Sequence, residues 1–141
     1  MKIYIGSDHA GFDLKEQIKK HFKEQFEFVD MGTNSSESVD YPDFAHAVAE
    51  EVLKETDGVG VLICGTGNGM AMTANKHAGI RAALCWSPEI SALAKQHNNA
   101  NILVLPARFI TTDKAVETVK AFFDAAFEGG RHQRRIDKIN L

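Results

Sequence analysis

Residues 59–75, VGVLICGTGNGMAMTAN, constrain the fold of this chain more than any other stretch. Val59 to Ile63 make a short apolar run rich in β-branched residues, the pattern of a strand buried on both faces of a parallel sheet. Gly65, Gly67 and Gly69 then alternate along the chain, which turns the backbone sharply and lets its N–H groups converge on one spot. Met70 to Lys76 read as the helix after the turn. An anion fits such a turn, and Cys64, the last residue before it, directs a thiol to the same place.

The flanking sequence supplies the partners of that strand. Lys2 to Gly6 is a first strand, followed by the turn Ser7-Asp8-His9-Ala10-Gly11. Leu14, Ile18 and Phe22 recur at fourfold spacing and predict a helix with Lys15, Lys19 and Lys23 on its wet side. Phe26 to Asp30 is a second strand, and Met31 to Pro42 a loop without apolar periodicity. Asp43 is the expected cap of a helix carrying Phe44, Val48 and Val52. After the glycine turn come a fourth strand, Arg81 to Trp86, a helix from Ser87-Pro88 to about His97, and a fifth strand, Asn101 to Leu105. Thr111 or Thr112 caps a last long helix with a stripe of Val116, Val119, Phe123 and Ala126, which Gly129-Gly130 ends. A basic tail, RHQRRIDKINL, closes the chain.

Five strands alternating with helices predict an α/β fold, a three-layer α/β/α sandwich on a five-stranded parallel sheet, with a C-terminal helical arm over residues 129–141. The 141 residues suit one domain, and 44% apolar with 25% charged residues is ordinary for a globular chain. A formal charge of −3 argues against a nucleic-acid or membrane surface, and no apolar run approaches a membrane span. Met1 to Gly6 leads straight into a strand pattern rather than a secretory leader. The two cysteines lie far apart without a CxxC pair, which predicts a reduced, cytoplasmic protein. Ligands of parallel sheets bind beyond the carboxyl ends of the strands, so Asp8, His9, residues 64–69 and Arg108 should share one edge.

Six blocks in order along the chain, GSDHAG (6–11), DYP (40–42), ICGTGNG (63–69), ANK (74–76), QHNNAN (96–101) and GGRHQRR (129–135), make the sequence resemble the type B ribose-5-phosphate isomerases. That family also includes galactose-6-phosphate and allose-6-phosphate isomerases. The resemblance implies interconversion of ribose 5-phosphate and ribulose 5-phosphate through an enediolate, a step of the pentose phosphate pathway. A hexose 6-phosphate is the alternative substrate, and neither a metal nor a cofactor is implied.

By the same resemblance Cys64 is the base that moves the proton between C1 and C2. A free thiol, with an ordinary pKa of about 8.5, needs neighbouring amides to favour its thiolate. Some relatives carry a glutamate base at the position of Met70, which cannot titrate here. The amides of Gly65, Thr66, Gly67, Asn68 and Gly69 would hold the enediolate oxygens. His97 matches the residue that assists ring opening, and an imidazole's ordinary pKa of about 6.5 suits proton transfer in both directions. Asn98 and Asp8 would bind sugar hydroxyls, and Tyr41 would line the pocket. The phosphate falls to His9, Arg108, Arg131 and Arg135, the last two spaced i, i+4 on one face of a helical tail.

Each feature also has a plainer reading: a buried strand cysteine, a histidine favoured by a helix C-terminus, a solvated basic tail. His97 ends the helix after strand four, which puts it near the opposite sheet edge from Cys64, so it is expected to serve a neighbouring subunit's site. A homodimer or dimer of dimers with shared sites is the expected assembly. A competing reading of a different class is a non-catalytic phosphate- or nucleotide-binding module of flavodoxin or receiver type, which has the same alternating architecture.

Overall fold

A computed structural model describes residues 1–140; Leu141, the last residue of the basic tail, lies outside them. The chain runs β1 (Lys2–Ser7), α1 (Phe12–His21), β2 (Glu27–Asp30), α2 (Tyr41–Leu53), β3 (Gly60–Cys64), α3 (Asn68–Ala74), β4 (Ala82–Leu84), α4 (Pro88–Asn98), β5 (Ile102–Pro106), a 3-10 turn (Ala107–Phe109), α5 (Thr112–Asp124) and α6 (Arg131–Asp137). The five strands form one parallel sheet in the order β2-β1-β3-β5-β4. Helices α1, α4 and α5 cover one face and α2 and α3 the other, so the three-layer sandwich stands as expected.

Strand alternation divides the core between the two faces. Ile3, Ile5, Val61, Ile63, Leu103 and Leu105 point toward α1, α4 and α5, while Tyr4, Leu62, Cys64, Ile102 and Val104 point toward α2 and α3. All five residues of β3 and of β5 are buried, which explains their unbroken apolar sequence.

Helix boundaries follow local chemistry. Ser87 caps α4 and Pro88 opens it, where a missing N–H leaves nothing unsatisfied. Of the two threonines before α5, Thr111 is the cap, its side chain accepting from the Lys114 N–H at 3.1 Å. Asp43, the cap expected for α2, does not take that position. The helix begins at Tyr41 with Pro42 in its first turn, leaving Asp43 inside that turn. The helix after the glycines likewise starts earlier, at Asn68, and β4 is shorter than its apolar run.

Two departures from the sequence pattern are larger. The last long helix stops at Asp124 rather than at Gly129-Gly130: Ala125 turns to an extended conformation, and residues 125–129 form no helix and meet α4 through the Glu128 N–H and the Gln96 carbonyl. Its buried stripe is therefore Ala115, Thr118, Val119 and Phe122, with Phe123 only partly buried and Ala126 exposed. Lys15, predicted on the wet face of α1, is fully buried. Its Nζ donates to both oxygens of Asp30, at 2.6 and 2.8 Å, and to the Thr33 carbonyl at 2.6 Å.

Candidate active site

The sheet places a crevice where adjacent strands send their chains to opposite faces. β1 and β3 are neighbours; β1 leads to α1 on one face and β3 to α3 on the other. The space between their carboxyl ends is the switch point at which open α/β sheets bind ligands. Asp8 and Cys64 stand on its two sides.

Cys64 closes β3 level with Pro106 of β5, is 5% exposed, and is a free thiol. Beyond it Gly67 takes φ +78°, a left-handed conformation that a side chain would strain and that aims the chain into α3. The Thr66 hydroxyl accepts from the Asn68 N–H at 3.2 Å, which keeps the turn tight and leaves the hydroxyl's own proton for a ligand. Tyr41, at the start of α2, lays its ring against Gly69, where any side chain would overlap it.

On the other side, buried Asp8 accepts from the Gly11 N–H at 3.1 Å while its own N–H donates to the Ile63 carbonyl at 3.2 Å. The turn after β1 is thereby pinned to β3. His9 accepts from the Val39 N–H through Nδ1 at 3.2 Å, tying the long loop to the crevice and leaving Nε2 free of that bond. The Arg108 N–H donates to the Gly65 carbonyl at 2.9 Å, and its guanidinium lies across Gly65. A thiol, a carboxylate, an imidazole, a guanidinium and a turn of backbone amides thus meet at one edge. This is equipment for an anionic substrate with acidic C–H bonds.

The other candidates gather elsewhere. His97 and Asn98 end α4, which runs back toward the start of β5, so they lie at the amino edge of the sheet, as the chain order implied. The Arg81 guanidinium grips that helix end, its Nε donating to the Asn98 and Asn99 carbonyls at 3.1 and 3.0 Å. α6 docks on α4 through buried His132 and Ile136, which leaves Arg131 and Arg135 exposed along its length. Gly129 and Gly130, at φ +69° and +58°, make the reversal that brings α6 back onto α4.

The His132 ring stacks on His97 with centroids 4.3 Å apart and planes 12° from parallel. Glu128 approaches both, its Oε1 lying 3.7 Å from His97 Nε2 and 3.5 Å from His132 Nε2. Sequence reasoning gave Glu128, His132 and Arg81 no role. His132 had a signal in the GGRHQRR block, whereas an acid in a supposed helix gave none. The three ligand-type groups lie within 4.8 Å of one another, but near-parallel imidazoles aim their in-plane lone pairs side by side rather than at one point. A tetrahedral ion with nitrogens at about 2.0–2.1 Å needs converging ones. Among the described residues no helix is long and apolar enough to cross a membrane.

Comparison with known proteins gives one consistent result. Residues 3–139 match the sequence model of the Ribose/Galactose Isomerase family. Ribose-5-phosphate isomerase B of Escherichia coli (strain K12) is 47% identical, over 98% of this chain and 93% of that protein. The crystal structure of a ribose 5-phosphate isomerase from Thermotoga maritima superposes with a TM-score of 0.96 at 51% identity, covering 99% of this chain and 97% of the other. Ribose-5-phosphate isomerase B of Mycoplasma genitalium, crystallised with bound ribulose-5-phosphate, gives 0.94 at 52% identity, covering 98% and 93%.

Proposed function

This chain belongs to the Ribose/Galactose Isomerase family, and from that premise we propose that it interconverts ribose 5-phosphate and ribulose 5-phosphate through an enediolate. The observation that carries the reading is the meeting of Cys64, the glycine turn, Asp8 and Arg108 at the β1/β3 switch point. The relative with bound ribulose-5-phosphate supports the pentose as substrate.

The furanose opens first. His97 delivers a proton to the ring oxygen as its bond to C1 breaks, and the Asp8 carboxylate takes the proton from the C1 hydroxyl. The Cys64 thiolate then removes the C2 proton of the open aldose, and the charge on oxygen is held by the amides of residues 65–69. The thiol returns that proton to C1 while the hydroxyl proton passes from O2 to O1, which gives the ketose. Every atom is conserved, no oxidant or reductant is consumed, and the scheme is written with neither metal nor cofactor. Arg108 and His9 hold the phosphate together with Arg131 and Arg135, Asn98 and Tyr41 contact the sugar, and the reaction is placed in the cytoplasm.

Cys64 and His97 lie at opposite edges of the sheet, which the length of a five-residue strand, about 16 Å, holds apart. One subunit therefore cannot supply both to one sugar, and a homodimer, or a dimer of dimers, in which the α4–α6 end of one chain completes its partner's crevice answers the geometry. Cys64→Ala and His97→Gln enzymes, each nearly inactive, should regain roughly a quarter of wild-type activity when unfolded together and refolded, since half the dimers then carry one intact site in two. Absence of any recovery would refute the shared site.

The reaction itself is tested by following ribose 5-phosphate and ribulose 5-phosphate with chelator present, alongside allose and galactose 6-phosphates. Pentose turnover is expected. Turnover of a hexose phosphate alone would change the substrate, and turnover of none would favour the phosphate-binding module. The sheet order already speaks against the flavodoxin type, whose strands run 2-1-3-4-5.

A further inference from the structure

The segment 125–129 contributes no residue to the crevice between β1 and β3, yet it carries a carboxylate to the one histidine asked to move a proton. From this placement we infer that Glu128 is a positioning residue for ring opening: it fixes the orientation in which the His97 imidazole gives up its proton. The inference rests on the ring-opening role proposed for His97.

Three features make the arrangement a held one. The Glu128 N–H donates to the Gln96 carbonyl at 3.0 Å, so the backbone of the acid is fastened to the residue beside His97. The His97 ring is pressed on one side by His132, which is 8% exposed and stacked at 4.3 Å, so its plane is set by packing. The helix end carrying His97 is gripped by Arg81 and closed by Asn99 in the left-handed conformation, at φ +45°. Glu128 lies on the Nε2 side of the ring, at 3.7 Å, while Nδ1 has no hydrogen-bond partner among the described residues. The carboxylate thus occupies one nitrogen's side and leaves the other to face a sugar oxygen.

The chemistry gives this division a purpose. A general acid must hold its proton until the C1–O4 bond breaks and regain one when the ring closes again, so its protonated form has to be accessible at each turnover. A carboxylate beside an imidazole fixes the ring's orientation, and in other enzymes loss of such a partner lowers the rate without disturbing the fold. Glu128 stays half-exposed, which lets the pair form and relax without a buried charge.

Two readouts separate this from a structural role. Ribulose 5-phosphate has no furanose form, because its C5 oxygen carries the phosphate, so exchange of its C1 proton with solvent deuterium needs the base but no ring opening. Isomerisation of ribose 5-phosphate needs both. Glu128→Gln should lower kcat on ribose 5-phosphate by about 10-fold or more, with KM and deuterium exchange close to wild type. Glu128→Asp, which keeps the charge, should recover most of the loss. In a His97→Gln background Glu128→Gln should have no further effect, since the two act through one step.

An unchanged rate in Glu128→Gln, parallel loss of exchange and isomerisation, or an equal loss with His97 already replaced would overturn the proposal. A His97→Gln enzyme of undiminished isomerisation rate would instead overturn the ring-opening assignment beneath it, a result distinct from a silent Glu128 beside an impaired His97.

Discussion

Replacing Cys64 with alanine is expected to lower isomerisation in both directions by about 1,000-fold or more, and to abolish deuterium exchange at C1 of ribulose 5-phosphate as well. The sulfur ends the central strand at the crevice between β1 and β3, and among the described residues no other thiol reaches that edge. The fold should survive. Loss of one sulfur atom from the cluster of Leu62, Met70 and Val104 costs about 1 kcal/mol, well within the stability of a domain this size. Serine makes a sharper variant, since it keeps the shape but needs a far higher pH to ionise.

Cys85 provides the internal control. It is fully buried on the α1, α4 and α5 face, and burial pushes its thiol up to about 12. Alkylation at neutral pH should therefore stop activity through Cys64 and spare Cys85, and ribulose 5-phosphate should protect. Peptide mapping after partial inactivation reads this directly. Full activity in Cys64→Ala, or loss of activity that tracks labelling of Cys85, would sink the base assignment.

The second large effect is on stability. Lys15→Met should destabilise the fold by about 3–5 kcal/mol, a fall in melting temperature of roughly 10 °C or more. The Lys15 ammonium is fully buried, and its three hydrogen bonds to Asp30 and the Thr33 carbonyl use all its donors. Removing it strands the Thr33 carbonyl and leaves a half-buried carboxylate with Lys19, at 2.7 Å, and the Gly32 N–H as its remaining partners. Those same residues extend the β1–β2 pairing toward the crevice, since Ser7 donates to Gly32 and accepts from Thr33, at 2.8 and 2.9 Å. The variant should therefore also loosen the loop that His9 holds. Lys15→Met with Asp30→Asn should recover part of the loss, because the carboxylate that has lost its buried partner is then neutral.

The pH dependence has a definite sign. Burial raises the Asp30 carboxyl, but the hydrogen bonds from Lys15, Lys19 and the Gly32 N–H outweigh it and hold the group below its ordinary value. A depressed folded value means that the stabilisation is fully present above the unfolded pKa, about 3.9, and disappears as pH falls through the folded one. The gap in stability between wild type and Asp30→Asn should be constant near neutrality and shrink in acid. A gap that widened as the solution was acidified would contradict the assignment.

The residues that gather at the carboxyl edge of the sheet are legible without coordinates, because each lies at the end of a strand marked by its own apolar run. Cys64 and the turn after it, Asp8 and His9, and Arg108 all follow this rule, and parallel pairing puts strand ends level. The position of His97 at the far edge is legible for the same reason, since a crossover helix must return to where the next strand begins. The other residues sort by a different physics. Lys15 fits the polar face of its helix by periodicity, and only the arrival of Asp30 and Thr33 above α1 makes its burial tolerable. Glu128 fits a continuing helix, and only the end of α5 at Asp124 and the tie of Glu128 to Gln96 set it beside His97.

What the sequence determined by itself is what backbone sterics and local apolar spacing decide: the alternation of strand and helix, the glycine turn, and the edge at which each strand delivers its last residue. What the tertiary structure alone decided is which polar groups meet, Lys15 with Asp30 and His97 with Glu128 and His132. Such groups find their partners through space, across 15 residues of chain for Lys15 and Asp30 and farther still for His97 and Glu128, and no periodicity along the chain records that distance.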